Sequence, residues 1–447
     1  MNTMTTLFLT SSLPTPLYLS KTSKASTMAQ VASTEMTNLQ LLKDEEGGLM
    51  QEEGIATITF YKGDVISAGV QLRKQLELVG NSNPWVFGRL RKVGGGTKLQ
   101  YGGSPTPSEI DQVFKIIRKD DTNTLKTKPS PEEPYIKICN DMYASKSVIV
   151  SNGYALLGVD KPLALLTISE HKENEFAVIF SVSHAIADGR TYYELLNMLR
   201  PGSEARALPV ERVMSFSEEM RSLCGRKELE WADKPSAMCM YTCAMMANKP
   251  VKCMAFNLSE ERINEEKAKW KGQEVLYVTT NDIITSNFFI ETGARIGMMG
   301  MDCRGKVGGI SQDMAGNYVT ALTMDPETFG TPAAVRKMLS YPPYKTTGLP
   351  LPSFCGWLCG KDSAKFAMAT NWSSFAGDLI QLDGCELVVH LPVHNPAYCA
   401  YDLMVPFMSK PGKVAVMCWT VSSDEAGLRK ALPVGESVSS TLFPSTD

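Results

Sequence analysis

The stretch Phe180–Leu196, FSVSHAIADGRTYYELL, decides how the rest of the chain is read. It continues an apolar run, Glu175–Ser183, in which Phe176, Val178, Phe180 and Val182 share one face of a strand while Ala177 and Ile179 lie on the other. Side chains alternate across a strand, so a run apolar on both faces fits a strand covered on both sides. Beyond Gly189, Tyr192, Leu195, Leu196 and Leu199 recur at helical spacing, and a helix is predicted there. Gly189 is expected to let the chain turn without a Cβ in the way. The tight turn between strand and helix presents His184, in the order His184-Ala185-Ile186-Ala187-Asp188-Gly189. Loops at strand ends suit catalytic groups, because a rigid scaffold positions them. An imidazole titrates near neutral pH and can take a proton from an attacking hydroxyl or amine. Asp188 suits a different role, since a buried carboxylate there pairs with an arginine and holds the loop in shape.

Working outward, Leu163–Ser169 reads as a strand paired with Glu175–Ser183 across the turn His171–Asn174. Upstream, Asp64 is a helix N-cap, with Val65, Leu72, Leu76 and Val79 on one helical face. Trp85–Tyr101 reads as strand, glycine turn, strand, and a short helix is predicted near Glu109–Arg118. Thr122–Pro134, with three prolines, is expected as a surface loop. Downstream, strands are predicted near Cys253–Asn257, Val275–Thr279, Lys365–Thr370, Cys385–Leu391 and Val414–Thr420. Helices are predicted from Ser259, after Asp282 and near Asp424–Leu432. Strands and helices alternate irregularly, which argues for mixed α/β layers. The expected division is a flexible or targeting segment at 1–40, an N-terminal domain at 41–210, a crossover linker at 211–255 and a C-terminal domain at 256–447.

The bulk numbers exclude more than they assert. The 447 residues carry 45 Lys and Arg against 48 Asp and Glu, so no basic excess points to nucleic acid. No stretch reaches the roughly 18 apolar residues of a membrane span. Eleven scattered cysteines fit reduced thiols better than a disulfide framework. Cys239 with Cys243, Cys355 with Cys359, and His390 with His394 lack the paired spacing of a structural zinc site, so no metal is expected. Residues 1–34 contain no Asp or Glu and are rich in Ser and Thr, which fits either a plastid-type transit segment or a disordered tail. The expected location is accordingly cytoplasm or plastid.

H-A-I-A-D-G after such a strand resembles the signature of the CoA-dependent acyltransferase superfamily, which includes chloramphenicol acetyltransferase, condensation domains and the eukaryotic BAHD-type enzymes. Asn83-Pro84-Trp85-Val86-Phe87-Gly88-Arg89-Leu90, Thr280-Asn281-Asp282-Ile283-Ile284-Thr285, and Met301-Asp302-Cys303-Arg304 with Gly316-Asn317-Tyr318 resemble further segments of the eukaryotic branch, in its order. The resemblance implies two chloramphenicol acetyltransferase-like α/β domains packed around an interdomain channel. It implies transfer of an acyl group, other than aminoacyl, from acyl-CoA as co-substrate to a hydroxyl or amine of a small molecule in secondary metabolism. The protein would be a monomer with no bound cofactor. His184 would be the base, and Asp188, followed by Gly189, would pair with Arg304. Thr370-Asn371-Trp372 resembles a T-x-W segment at the reaction centre, so that Thr370 or Ser373 would donate to the oxyanion, with Trp372 beside them. The DFGWG loop of plant members is missing; Asp378–Gly384 stands in its place. Ser183 precedes His184 where condensation domains usually carry a second histidine. A carrier-protein thioester as donor, or a non-catalytic binding relative, are the alternative readings.

Overall fold

The strand that ends at Val182 is the middle of a five-stranded sheet ordered Glu386–Val393, Ile55–Lys62, Glu175–Val182, Ala164–Lys172, Phe114–Ile117. This computed structural model describes residues 35–444 apart from 122–127, 146, 226–230, 232–233, 247–250, 341, 345–350, 360–364 and 396–400. Residues 1–34 of the expected flexible or targeting segment and residues 122–127 of the Thr122–Pro134 loop therefore lie outside the described residues. Val178, Phe180 and Val182 pack with Leu72 of the helix Val65–Ser82 and Tyr192 of the helix Gly189–Met198, while Ala177 and Ile179 pack with Val405, Phe407 and Met417. The run is thus covered on both faces, as its composition predicts. Asp64 caps the first of these helices by accepting from the backbone of Ile66 and Ser67.

A seven-stranded sheet lies against the five-stranded one, in the order Val319–Met324, Ile296–Asp302, Phe366–Ala369, Asp402–Lys410, Lys413–Thr420, Lys252–Leu258, Val434–Ser437. Its far face, with Met254, Phe256, Met299, Met404 and Cys418, buries Phe288 and Phe289 of the helix Thr280–Glu291. Its near face carries Leu403, Val405, Ala415 and Trp419 into the core shared with the five-stranded sheet. Toward the Val319–Met324 edge this near face opens. Met298 pairs with Met368 and Gly300 with Ala321, and all four are half-buried, whereas Met299, Met301 and Ala369 on the opposite face are buried. A small third sheet, Thr37–Gln40, Gly96–Tyr101 and Arg89–Val93, completes the mixed α/β architecture.

Several local expectations change. Thr37–Gln40 is a strand inside the segment expected to be flexible. Trp85 lies in a 3-10 turn, Pro84–Phe87, before the first strand of its hairpin. The helix expected near Glu109–Arg118 is Pro107–Val113, and Phe114–Ile117 instead pairs in parallel with Leu166–Ser169. Val275–Thr279 is not a strand: Leu276 and Tyr277 are exposed, and Thr279 caps the helix Thr280–Glu291. The linker expected at 211–255 contains the helices Phe216–Cys224 and Pro235–Met246. The strand Glu386–Val393, from the C-terminal half, pairs antiparallel with Ile55–Lys62 in the sheet of the N-terminal half.

Candidate active site

Val182 ends its strand, Ser183 is buried, and His184 opens a turn that leaves the sheet with its side chain half-buried. Asp188 then caps the helix Gly189–Met198, accepting from the Thr191 amide at 2.9 Å. The remaining capacity of that carboxylate is also used. Arg304 donates to both of its oxygens, at 2.8 and 3.2 Å, and the Tyr318 amide donates to Oδ2 at 3.1 Å. Arg304, 1 % exposed, also donates to Asp302, the Thr191 hydroxyl and the carbonyls of Met314 and Gly316. Asp188 and Arg304 therefore tie the loop after the first sheet to the loop Cys303–Tyr318. A two-point pair of this kind fixes orientation as well as distance. Both oxygens of Asp188 face these partners, which leaves the imidazole as the group able to exchange a proton.

The imidazole is held from the other side. His184 Nδ1 lies 3.0 Å from Asn317 Oδ1. The Asn317 amide nitrogen donates to the His184 carbonyl at 2.7 Å and to the Glu45 carboxylate at 3.1 Å. The reverse amide orientation would set Oδ1 against a carboxylate and a carbonyl, three acceptors with no proton among them. Asn317 Oδ1 is therefore the acceptor, Nδ1 carries the proton, and the lone pair of Nε2 is free. Burial pushes the His184 pKa below the usual histidine value, against the opposing pull of its own backbone, Asp188, Asn317 and Glu45. At neutral pH the ring is the neutral tautomer that a general base requires.

The remaining expected residues are Gly189, at the start of its helix, and the segment that follows the strand Phe366–Ala369. Gly189 does not adopt a positive φ, so the turn does not need it there. Its reason is close approach: an added Cβ would lie 3.2 Å from the indole Nε1 of Trp372. Trp372 is pinned by its amide to Pro406 at 2.9 Å and meets Tyr193 edge-on at 6.0 Å. Ser373 and Thr370 separate. The Ser373 hydroxyl donates to Asn371 Oδ1 at 2.7 Å, and Asn371 in turn donates to Asn281 at 3.0 Å. Thr370 sits half-buried on the cleft side, its hydroxyl 3.2 Å from where a Cβ on Gly300 would stand. Asn281 and Asn371 also line a cavity of about 830 Å³, together with Ser259, Lys267, Ser373 and Lys413. His184 does not line it; Asn371 and Ser373, which do, flank Trp372 in the chain. Asn317, Glu45 and Arg212 carry the support of His184, and of these the sequence flagged only Asn317, within Gly316-Asn317-Tyr318.

No family model and no curated protein sequence matches the chain. Solved structures do. The polyketide synthase associated protein 5 of Mycobacterium tuberculosis superposes with a TM-score of 0.54 at 12% identity, over 89% of this chain and 97% of that one. F. graminearum TRI101 complexed with coenzyme A and deoxynivalenol gives 0.52 at 12% identity, over 88% and 96%. The first condensation domain of the CDA synthetase gives 0.54 at 13% identity, over 90% and 98%. All three are members of the CoA-dependent acyltransferase, chloramphenicol acetyltransferase-like superfamily. This chain has their two-domain fold. Among the described residues no group of three or more His, Cys, Asp or Glu side chains is placed to hold a metal, and no helix is long and apolar enough to cross a membrane.

Proposed function

We propose that the protein transfers an acyl group from an acyl-CoA thioester to the hydroxyl or amine of a small molecule, with His184 as general base. The observation that carries this reading is the Nδ1 contact to Asn317, because it commits the ring to the tautomer with Nε2 free. Nε2 takes the proton of the acceptor as the acceptor attacks the thioester carbonyl. The carbonyl carbon forms the new ester or amide bond, the C–S bond breaks, and the proton held on Nε2 passes to the departing thiolate. Negative charge gathers on the carbonyl oxygen in between. Thr370 is the donor we assign to it, because the Ser373 hydroxyl is already engaged with Asn371.

The cavity beside Asn281, Asn371 and Ser373 falls within the usual ligand-pocket size of about 300–1,000 Å³ and supports a donor entrance on the far face of the seven-stranded sheet. Lys267 and Lys413 at its wall suit the phosphates of coenzyme A. The half-buried near face around Met298, Gly300, Ala321 and Met368 supports an acceptor side floored by small and apolar groups. The two substrates would then reach His184 from opposite faces of one sheet. TRI101, complexed with coenzyme A and T-2 mycotoxin in another solved structure, shares this fold at a TM-score of 0.52.

The deciding experiment feeds a panel of acyl-CoA esters and alcohols to the protein and follows thiol release and product mass. His184→Ala should lower turnover by at least about 10²-fold, the lower range for a general base, with the melting profile unchanged. Wild-type turnover in that variant would refute the assignment. A dependence on an acylated carrier protein, with no response to free acyl-CoA, would move the donor to the condensation-like reading.

A further inference from the structure

Glu45 stands outside every segment that suggested the chemistry, yet its carboxylate is wholly buried behind the site. It belongs to a 3-10 turn, Lys43–Glu46, near the start of the described chain. Oε1 accepts from both nitrogens of Asn317, the backbone amide at 3.0 Å and the side-chain amide at 3.1 Å. Oε2 accepts from Arg212 Nε at 2.8 Å and from the Leu42 amide at 2.9 Å. Arg212 is also buried, and its guanidinium donates to the carbonyls of Val210, Ala315 and Ile186. Ile186 lies in the His184 turn itself, and Ala315 lies in the loop that carries Asn317. The carboxylate therefore fixes both loops that hold the imidazole.

A buried ion pair can serve stability or specificity of arrangement, and on energy alone replacement by apolar groups is often tolerated. The geometry here says more than that. Asn317 is an amide with two chemically opposite ends, and only one orientation leaves His184 Nε2 free. We propose that Glu45 is the positioning residue of the base: it accepts from the Asn317 side-chain nitrogen and thereby forces Oδ1 toward His184 Nδ1. The proposal rests on the reading of His184 as base and adds a control on its tautomer. The charged groups around the ring are Asp188 on its own loop, Glu45 on the 3-10 turn, Arg212 on the segment after Val210, and Arg304 on the loop after Asp302. Of these, Glu45 alone contacts the amide that touches the ring.

Glu45→Gln keeps the shape and removes the symmetry. A glutamine must present its NH₂ either to Asn317 or to Arg212 and Leu42, donor against donor in both cases. The variant should lose roughly 10- to 100-fold in kcat, the range seen where the partner that orients a metal-bound histidine is removed, with KM for the acyl-CoA within about twofold. The acid limb of the kcat/KM profile should move to lower pH, because the Glu45 charge supports the His184 imidazolium. Glu45→Asp, which keeps the charge, should restore the position of that limb. A purely structural role would lower the melting temperature and leave the limb in place. A folded Glu45→Gln protein with kcat within about twofold of wild type and an unmoved limb overturns the proposal, provided that His184→Ala is inactive. Turnover surviving in His184→Ala would instead sink the reading of the base. Should Glu45→Gln not fold, ¹⁵N spectra of the wild-type protein labelled at its four histidines settle the matter. The proton should sit on Nδ1 of His184, and an Nε2–H signal there would refute the proposal.

Discussion

Asp188 and Arg304 are each almost fully enclosed, and they meet through a two-point contact between their loops. A surface salt bridge contributes little, but removing one partner of a buried pair strands the other charge. Arg304→Ala should therefore cost about 3–5 kcal/mol in urea denaturation, the range for a broken buried pair. Arg304→Lys should also be destabilising, because an ammonium cannot reproduce the two-point contact with Asp188 or reach Met314 and Gly316 together. The pair Asp188→Asn with Arg304→Met should cost less than the sum of its single changes, since the two side chains share one network. Additive losses would show that Arg304 acts elsewhere. The residues that make this site divide by how locally they are specified. His184 and Asp188 are four apart on one turn and readable as a unit, whereas Asn317 is 133 positions from His184 and Glu45 is 272 positions from Asn317. A buried glutamate in an otherwise charged stretch, KDEE, has no local mark that distinguishes it from its solvated neighbours.

At the level of elements, the site depends on how closely the helix Gly189–Met198 approaches the chain after Phe366–Ala369. Gly189→Ala places a methyl 3.2 Å from Trp372 Nε1, tight enough that the indole must shift by a few tenths of an ångström. The indole is backed by Tyr193 and anchored through its amide to Pro406, so the shift should pass to Thr370 and Ser373. We expect roughly a tenfold loss in kcat/KM, about 1.4 kcal/mol, with little change in melting temperature, because alanine is a good residue in a helix's first turn. A variant with full activity would show that the contact has slack. The same comparison of elements explains what the pattern of residues could and could not reveal. Glu175–Val182 is legible because both faces are apolar, and both faces are covered. Ile296–Asp302, IGMMGMD, gives no such signal because glycine and methionine carry no strand preference; its neighbours on either side make it one. Val275–Thr279 has the composition of a strand, yet Leu276 is 86% exposed, and its position is set by the Thr279 cap rather than by a partner. Glu109–Arg118 is too long for a helix because Phe114–Ile117 completes the edge of the five-stranded sheet.

For the whole molecule, the histidines set the response to acid. His390 lies within the first sheet's packing against the helix Gly189–Met198, with Thr59 Oγ1 at 2.7 Å from Nδ1 and Tyr193 OH at 3.2 Å from Nε2. Burial pushes its pKa down to about 3, and it pushes that of His394, edge-on to Trp419, down to about 4. In the unfolded chain both return to about 6.5. Between these values the unfolded state binds the protons that the folded state refuses, so stability rises with pH. The contribution is complete above about pH 6.5 and drains away as pH falls toward about 4 for His394 and about 3 for His390. Glu53, 3.5 Å from His394, works in the other direction. Burial raises its pKa to about 7, so its contribution is complete below the ordinary carboxylate value and is lost as pH climbs through about 7. The two opposed trends place the stability maximum near pH 6.5, and below it the net fall is that of one histidine, since two histidines oppose one carboxylate there. Each fully coupled histidine adds about 1.4 kcal/mol per pH unit. Urea midpoints measured from pH 6.5 to pH 4.5 should therefore fall in the wild-type protein. In His390→Gln, which has nothing to protonate, the slope should be shallower by about 1.4 kcal/mol per unit even if the variant starts less stable. An identical slope in the two proteins would mean that His390 accepts its proton in the folded state, with the Thr59 and Tyr193 hydroxyls turned to accept from both ring nitrogens and the effect of burial overcome.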